Sequence, residues 1–100
     1  MALKVVFSER AWQDAEEIYD WIATSAGLGI AERYISRIID FCEGLREFPD
    51  RGTARDDVAP GLRTTSFERR VMIAYIVEPK AVRILRVLHH GRDLGKAFAP

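Results

Sequence analysis

Within RILRVLHHGRD, residues 83–93, stand Arg83, Arg86, His89, His90, Arg92 and Asp93. Such a mixture could do proton-transfer chemistry. Cleaving RNA through its 2′-hydroxyl needs only a base, an acid and cations on the phosphate. His89, His90, Arg63, Arg86 and Arg92 could supply these. The competing reading makes the histidines strand-end hydrogen-bonding groups and each arginine a solvated or salt-bridged sheet residue. Other chemistries are harder to build. Adjacent side chains on a strand point to opposite faces, so His89 and His90 make poor joint metal ligands. There is no third histidine, and the one cysteine, Cys42, falls on an apolar helical stripe. A zinc site needs three or four ligands at recognisable spacing, and none is expected here. No serine sits in a nucleophile elbow, and Gly27-Leu28-Gly29 reads as a helix connector and not a phosphate loop. No cofactor is expected.

The elements that must carry these residues follow from hydrophobic period. Leu3, Val5 and Phe7 alternate with Lys4 and Val6, which predicts a strand near 2–7. Ser8 is a good N-cap and Glu9 places negative charge in the first turn of a helix predicted over about 9–25. Ala11, Ala15, Ile18 and Ile22 form its apolar stripe, with Asp14, Glu16, Glu17 and Asp20 expected largely off it. Gly27 and Gly29 break the helix. Ala31, Tyr34, Ile35, Ile38, Phe41, Cys42, Leu45 and Phe48 mark a second helix over about 30–47, stopped by Pro49. After the polar loop 49–60 the period becomes two, giving strands near 61–67, 70–77 and 82–89. The order β-α-α-β-β-β predicts one α+β domain over residues 1–100: a helical hairpin packed on one face of a mostly antiparallel sheet.

The chain has 100 residues, 48% hydrophobic and 30% charged, an ordinary globular composition with room for one modest core. No apolar run reaches the roughly 20 residues of a membrane span, and the N-terminus has no cleavage signature. With one cysteine, no internal disulfide can form; a cytoplasmic location fits. The net charge of zero conceals an acidic first half and a basic second half, and twelve of the fifteen bases are arginine. Either folding interleaves the halves so that the surface averages out, or the bases form a face for a partner. The strands favour the second reading. Val71, Ile73, Tyr75 and Val77 should face one way and Met72, Ala74 and Ile76 the other. Val82, Ile84 and Leu88 should share one face of the last strand, with Leu85 and Val87 opposite. Two helices cover only one face, so a partly apolar, arginine-fringed face is expected to stay open as a partner site.

GLR at 61–63, RRVMIAYIV at 69–77 and RILRVLHHGRD at 83–93, in this order, resemble the RelE/ParE superfamily of toxins from type II toxin–antitoxin systems, and the last segment looks like the ParE branch. The resemblance implies two activities: RelE-like members cut mRNA in the ribosome, whereas ParE-like members poison DNA gyrase without being nucleases. Arg63 and Arg92 align with basic positions of the nucleases, but Thr65 and Met72 stand where further bases would be, and the tail has Phe98 and no tyrosine. The ParE reading is therefore expected, with no catalytic residue and no direct sequence-specific nucleic-acid binding. A ParD-like antitoxin would lay a helix or extended segment across the sheet and hairpin. Its acids would meet Arg63, Arg69, Arg70, Arg83 or Arg86, leaving His89, His90, Arg92 and Asp93 as a family signature or target contact.

Overall fold

The structure is a computed structural model that describes residues 3–89 and 94–98. Its elements are β1 (Lys4–Phe7), α1 (Glu9–Ala26), α2 (Leu28–Glu43), β2 (Thr53–Ala54), β3 (Arg63–Phe67), β4 (Val71–Val77), β5 (Ala81–His89) and α3 (Leu94–Ala97). The five strands lie in the order β1-β5-β4-β3-β2. Only β1 and β5 run parallel, with Val5 opposite Val82. The other neighbours are antiparallel. The expected α+β architecture is therefore present, with two short elements added, β2 and α3.

Local chemistry accounts for the helical hairpin. Ser8 caps α1: its Oγ accepts from the Ala11 N–H at 3.0 Å and donates to the Leu85 carbonyl at 3.0 Å. One side chain thus starts the helix and fastens it to β5. Gly27, at φ 101°, makes the turn into α2 in a region closed to most side chains. Buried Ala11, Ala15 and Ala31 allow close approach where larger residues would hold the elements apart.

α2 ends earlier than the pattern predicts. Gly44–Arg46 winds into a tighter 3-10 turn that still buries Leu45, and Pro49 opens a second such turn. Phe48, expected on the buried stripe, is 66% exposed because the chain has left the helical path before reaching it.

The main core lies between the hairpin and the sheet: Ile18, Ile38, Cys42 and Leu45 against Phe67, Val71, Ile73, Tyr75, Val82, Ile84 and Val87. The expected faces of β4 hold from Val71 to Ile76, with Val77 exposed at the strand end, but those of β5 change midway. Ala74 stands opposite Arg86 and Tyr75 opposite Ile84, so Leu85 is an extra residue in a bulge. Val87 therefore joins Val82 and Ile84 in the main core, and Leu88 joins Leu85 on the far face. Strict alternation cannot foresee the inserted residue.

The far face is not left open. Leu62, Ala74, Leu88 and Leu94 form a second buried cluster, with Val58, Ala59, Met72, Ile76, Leu85, Ala97 and Phe98 packed around it. The loop before β3 and the segment around α3 cover it. The expectation that the chain holds nothing to cover that face is corrected. The loop 49–60, polar in composition, contributes Val58 and Ala59, and Leu62 just before β3 is buried with them.

Candidate functional site: an apolar groove beside the helical hairpin

β1 ends at Phe7, so beyond Ile84 the outer edge of β5 loses its strand neighbour. Unpaired backbone groups there would be costly. Side chains of α1 take over. Beside the Ser8 contact, Asp14 Oδ2 accepts from the Val87 N–H at 3.0 Å. The same carboxylate receives Arg86 Nε at 2.7 Å and Nη2 at 3.0 Å, a two-pronged pair. Asp14 is 2% exposed and Arg86 8%. The hydrogen bond to Asp14 pushes the Arg86 pKa further up. Arg86 Nη1 also donates to the Ala97 carbonyl at 3.1 Å, tying in α3. Asp14, expected among the surface acids, is thus a buried acceptor.

The other arginines divide similarly. Arg63 stands opposite Tyr75 in the β3–β4 register. Its Nη2 donates to the carbonyls of Asp50 and Gly52. Tyr75 donates from its hydroxyl to Pro49 O at 2.8 Å and accepts from Gly52 N–H at 3.0 Å. Arg63 and Tyr75 together clamp the loop after α2. Arg83 is half-buried and pairs with Glu78. Of the five arginines, Arg69 and Arg70 alone are exposed, in the turn between β3 and β4. His90, Arg92 and Asp93 lie outside the described residues.

Arg69, Arg70 and His89 meet the helices at one place. A groove of about 610 Å³ is lined by Ile18, Trp21, Ile22, Ile30, Tyr34 and these three residues, with Ser25 and Ala26 at its helical end. A smaller hollow of about 190 Å³ shares Ile18, Trp21 and His89 and extends toward Asp14 and Leu88. Trp21, 58% exposed, meets the His89 ring edge-on with centroids 4.6 Å apart. Ile30 and Leu28 are also exposed. Tyr34 has its hydroxyl pKa raised by burial, against the opposing pull of Arg70 and Arg37. An apolar floor with cations at its mouth suits an amphipathic segment that offers apolar anchors and acids.

The sequence pointed to Arg69, Arg70 and His89 but not to Trp21 or Ile30. Trp21 lies seven residues after Asp14, on the flank of α1 that faces β5, and no local pattern in the sequence marks that flank.

The comparisons with known proteins agree with this fold. The model of the ParE toxin of type II toxin–antitoxin systems matches residues 5–94. The chain is 25% identical to Toxin ParE1 of Mycobacterium tuberculosis (strain CDC 1551 / Oshkosh) over 96 residues, which is 96% of this chain and 98% of that protein. It is also similar to a solved chain of the chromosomal ParDE TA system from P. aeruginosa, with a TM-score of 0.77 and 25% identity. That likeness covers 88% of this chain and 96% of the other. With a family match running from β1 to the start of α3, this chain belongs to the ParE toxin family of type II toxin–antitoxin systems.

Proposed function

We propose that the protein inhibits DNA gyrase, without catalysing a reaction of its own, and that a ParD-like antitoxin holds it inactive by occupying the groove beside the helical hairpin. The observation that carries the antitoxin part is the groove itself. Trp21, Ile22, Ile30 and Tyr34 offer apolar surface beside Arg69 and Arg70, which are placed for acids on the incoming segment. A relative from a ParDE system with the same fold supports the kind of partner. The gyrase part rests on the family's expected activity.

The alternative, ribosome-dependent mRNA cleavage, gains little from the geometry. Cations for phosphate would have to come from the sheet, yet Arg63 is bound to loop carbonyls and Arg86 to Asp14. Phe98 packs among apolar residues on the far face. Arg86 cannot leave Asp14 without stranding a buried carboxylate.

Purified gyrase with supercoiled DNA tests the reading. Added toxin should trap cleavage complexes, and the protein encoded by the adjacent gene should abolish the effect. Ribosomes programmed with mRNA should show no new cuts. Codon-specific cuts that vanish in Arg92→Ala would replace the gyrase reading with the RelE-like one.

A further inference from the structure

The turn that carries Arg69 is built from disfavoured conformations. Glu68 has φ 51° and Arg69 φ 60°, both in the left-handed region. The Arg70 N–H donates back to Phe67 O at 3.0 Å, closing a tight hairpin. Mirror-image turns of this kind suit the twist of paired strands, but their central positions favour Asn and Gly. Side chains as long as Glu and Arg are sterically penalised there. The residues at this turn therefore do not ease its geometry.

What they do instead is reach outward. Glu68 pairs with Arg37 of α2. The Arg37 guanidinium in turn lies over the rings of Tyr34 and Phe67, at 5.7 and 5.6 Å from their centroids. The turn is thereby fastened to the helical wall of the groove, through an aromatic residue that lines it. Both side chains of the pair are substantially exposed, so the link adds little to folding stability. Its consequence is positional: the residues next to Glu68 are the two arginines at the groove's mouth.

Building on the antitoxin reading, we infer that Glu68 and Arg37 form a latch that holds the strained β3–β4 turn against α2, so that Arg69 and Arg70 are pre-set to receive carboxylates of an acidic, amphipathic partner segment. Neither latch residue lines the groove. Both act through the arginines and are positioning residues. Pre-setting the turn lowers the ordering cost of binding, and its loss should shorten the life of the complex more than it slows encounter.

The experiment uses the full toxin chain and the purified product of the adjacent gene, with binding rates and thermal unfolding measured on each variant. Glu68→Gly removes the latch and the steric penalty together while leaving Arg69 and Arg70 in the chain. It should melt at or above the wild-type temperature and associate no more slowly, since losing an acid beside the arginines does not weaken their pull on an acidic segment, yet dissociate about threefold faster. Arg37→Glu should also dissociate faster. The double exchange Arg37→Glu with Glu68→Arg restores an opposite-charge pair and should recover dissociation to within about 1.5-fold of wild type. Wild-type dissociation in Glu68→Gly, a loss that tracks a lowered melting temperature, or no recovery in the exchange would each overturn the latch while leaving the antitoxin reading standing. No binding by the wild-type chain would overturn both.

Discussion

Replacing Asp14 with alanine should destabilise the fold more than any surface change, and the amount follows from what the carboxylate leaves behind. Without it the Arg86 guanidinium, 8% exposed, keeps the Ala97 carbonyl and the weaker pull of the Glu17 charge, and the Val87 N–H loses its acceptor. Breaking a buried ion pair from one side costs about 3–5 kcal/mol, because the remaining charge stays desolvated. A domain of this size holds on the order of 5–15 kcal/mol in total. Each kcal/mol moves the melting point of such a domain by about 4–8 °C. The loss in Asp14→Ala should therefore be at least ~12 °C at the lower limits of these ranges.

Urea unfolding followed by circular dichroism gives the free energy, and a double-mutant cycle isolates the cause. Asp14→Leu and Arg86→Met should each be severely destabilising. Combined, they should recover about 2 kcal/mol or more of the summed loss, since neither then leaves a buried charge. Additive losses, or an Asp14→Ala cost below about 1 kcal/mol, would refute the reasoning and make the pair a surface contact. The cycle also guards the binding experiments. Arg86→Glu would face Asp14 with a second negative charge, so weakened partner binding in that variant would report unfolding.

Gly52→Ala should destabilise by about 1–3 kcal/mol in the same urea assay, since the methyl would meet the Thr64 carbonyl oxygen at 2.5 Å and the Tyr75 hydroxyl at 2.8 Å. Cys42 is fully buried, and burial, with a smaller contribution from Glu43, pushes its thiol pKa up to about 12. At pH 8 the thiolate is then on the order of one part in ten thousand, so Ellman's reagent should react only when the protein is unfolded by guanidinium. Trp21→Ala, at a side chain 58% exposed, should change stability by under ~1 kcal/mol but weaken the adjacent-gene partner by ~2 kcal/mol or more, as titration calorimetry would show.

Periodicity revealed the order of elements because each large one keeps its own repeat. The stripe Ala11, Ala15, Ile18, Ile22 and the alternation Val71, Ile73, Tyr75 are local patterns, and both survive in the fold. What the pattern missed depends on contacts distant in sequence. The Leu85 bulge lies where β5 pairs with β4 on one edge and Ser8 holds the Leu85 carbonyl, contacts that no window around residue 85 contains. Asp14 looked like its acidic neighbours, and only the unpaired edge of β5, 73 residues away, explains its burial. The groove was half legible: the arginines and His89 stood out by type, but Trp21 becomes a wall only once α1 lies beside β5.

The charge split between the halves has a related resolution. Folding brings the halves together, and their charges meet across the boundary: Asp14 of the acidic half takes Arg86, and Glu68 of the basic half takes Arg37. Arg83 is paired with its near neighbour Glu78, and Arg63 is directed to backbone carbonyls. Among the described residues, Arg63, Arg83 and Arg86 are therefore engaged within the fold and do not form a broad cationic face. What remains at the groove is a pair of exposed arginines beside an apolar floor far larger than they are. In such an arrangement the apolar anchors supply most of the affinity, through area removed from water, while the few charges fix orientation and raise the encounter rate. An antitoxin for this toxin then needs well-placed aromatic or aliphatic anchors more than it needs many acids. Closely related toxins that keep the floor but alter the turn at 68–70 would be told apart at those charges, because an acid buried without its arginine is a larger penalty than an anchor that fits slightly less well.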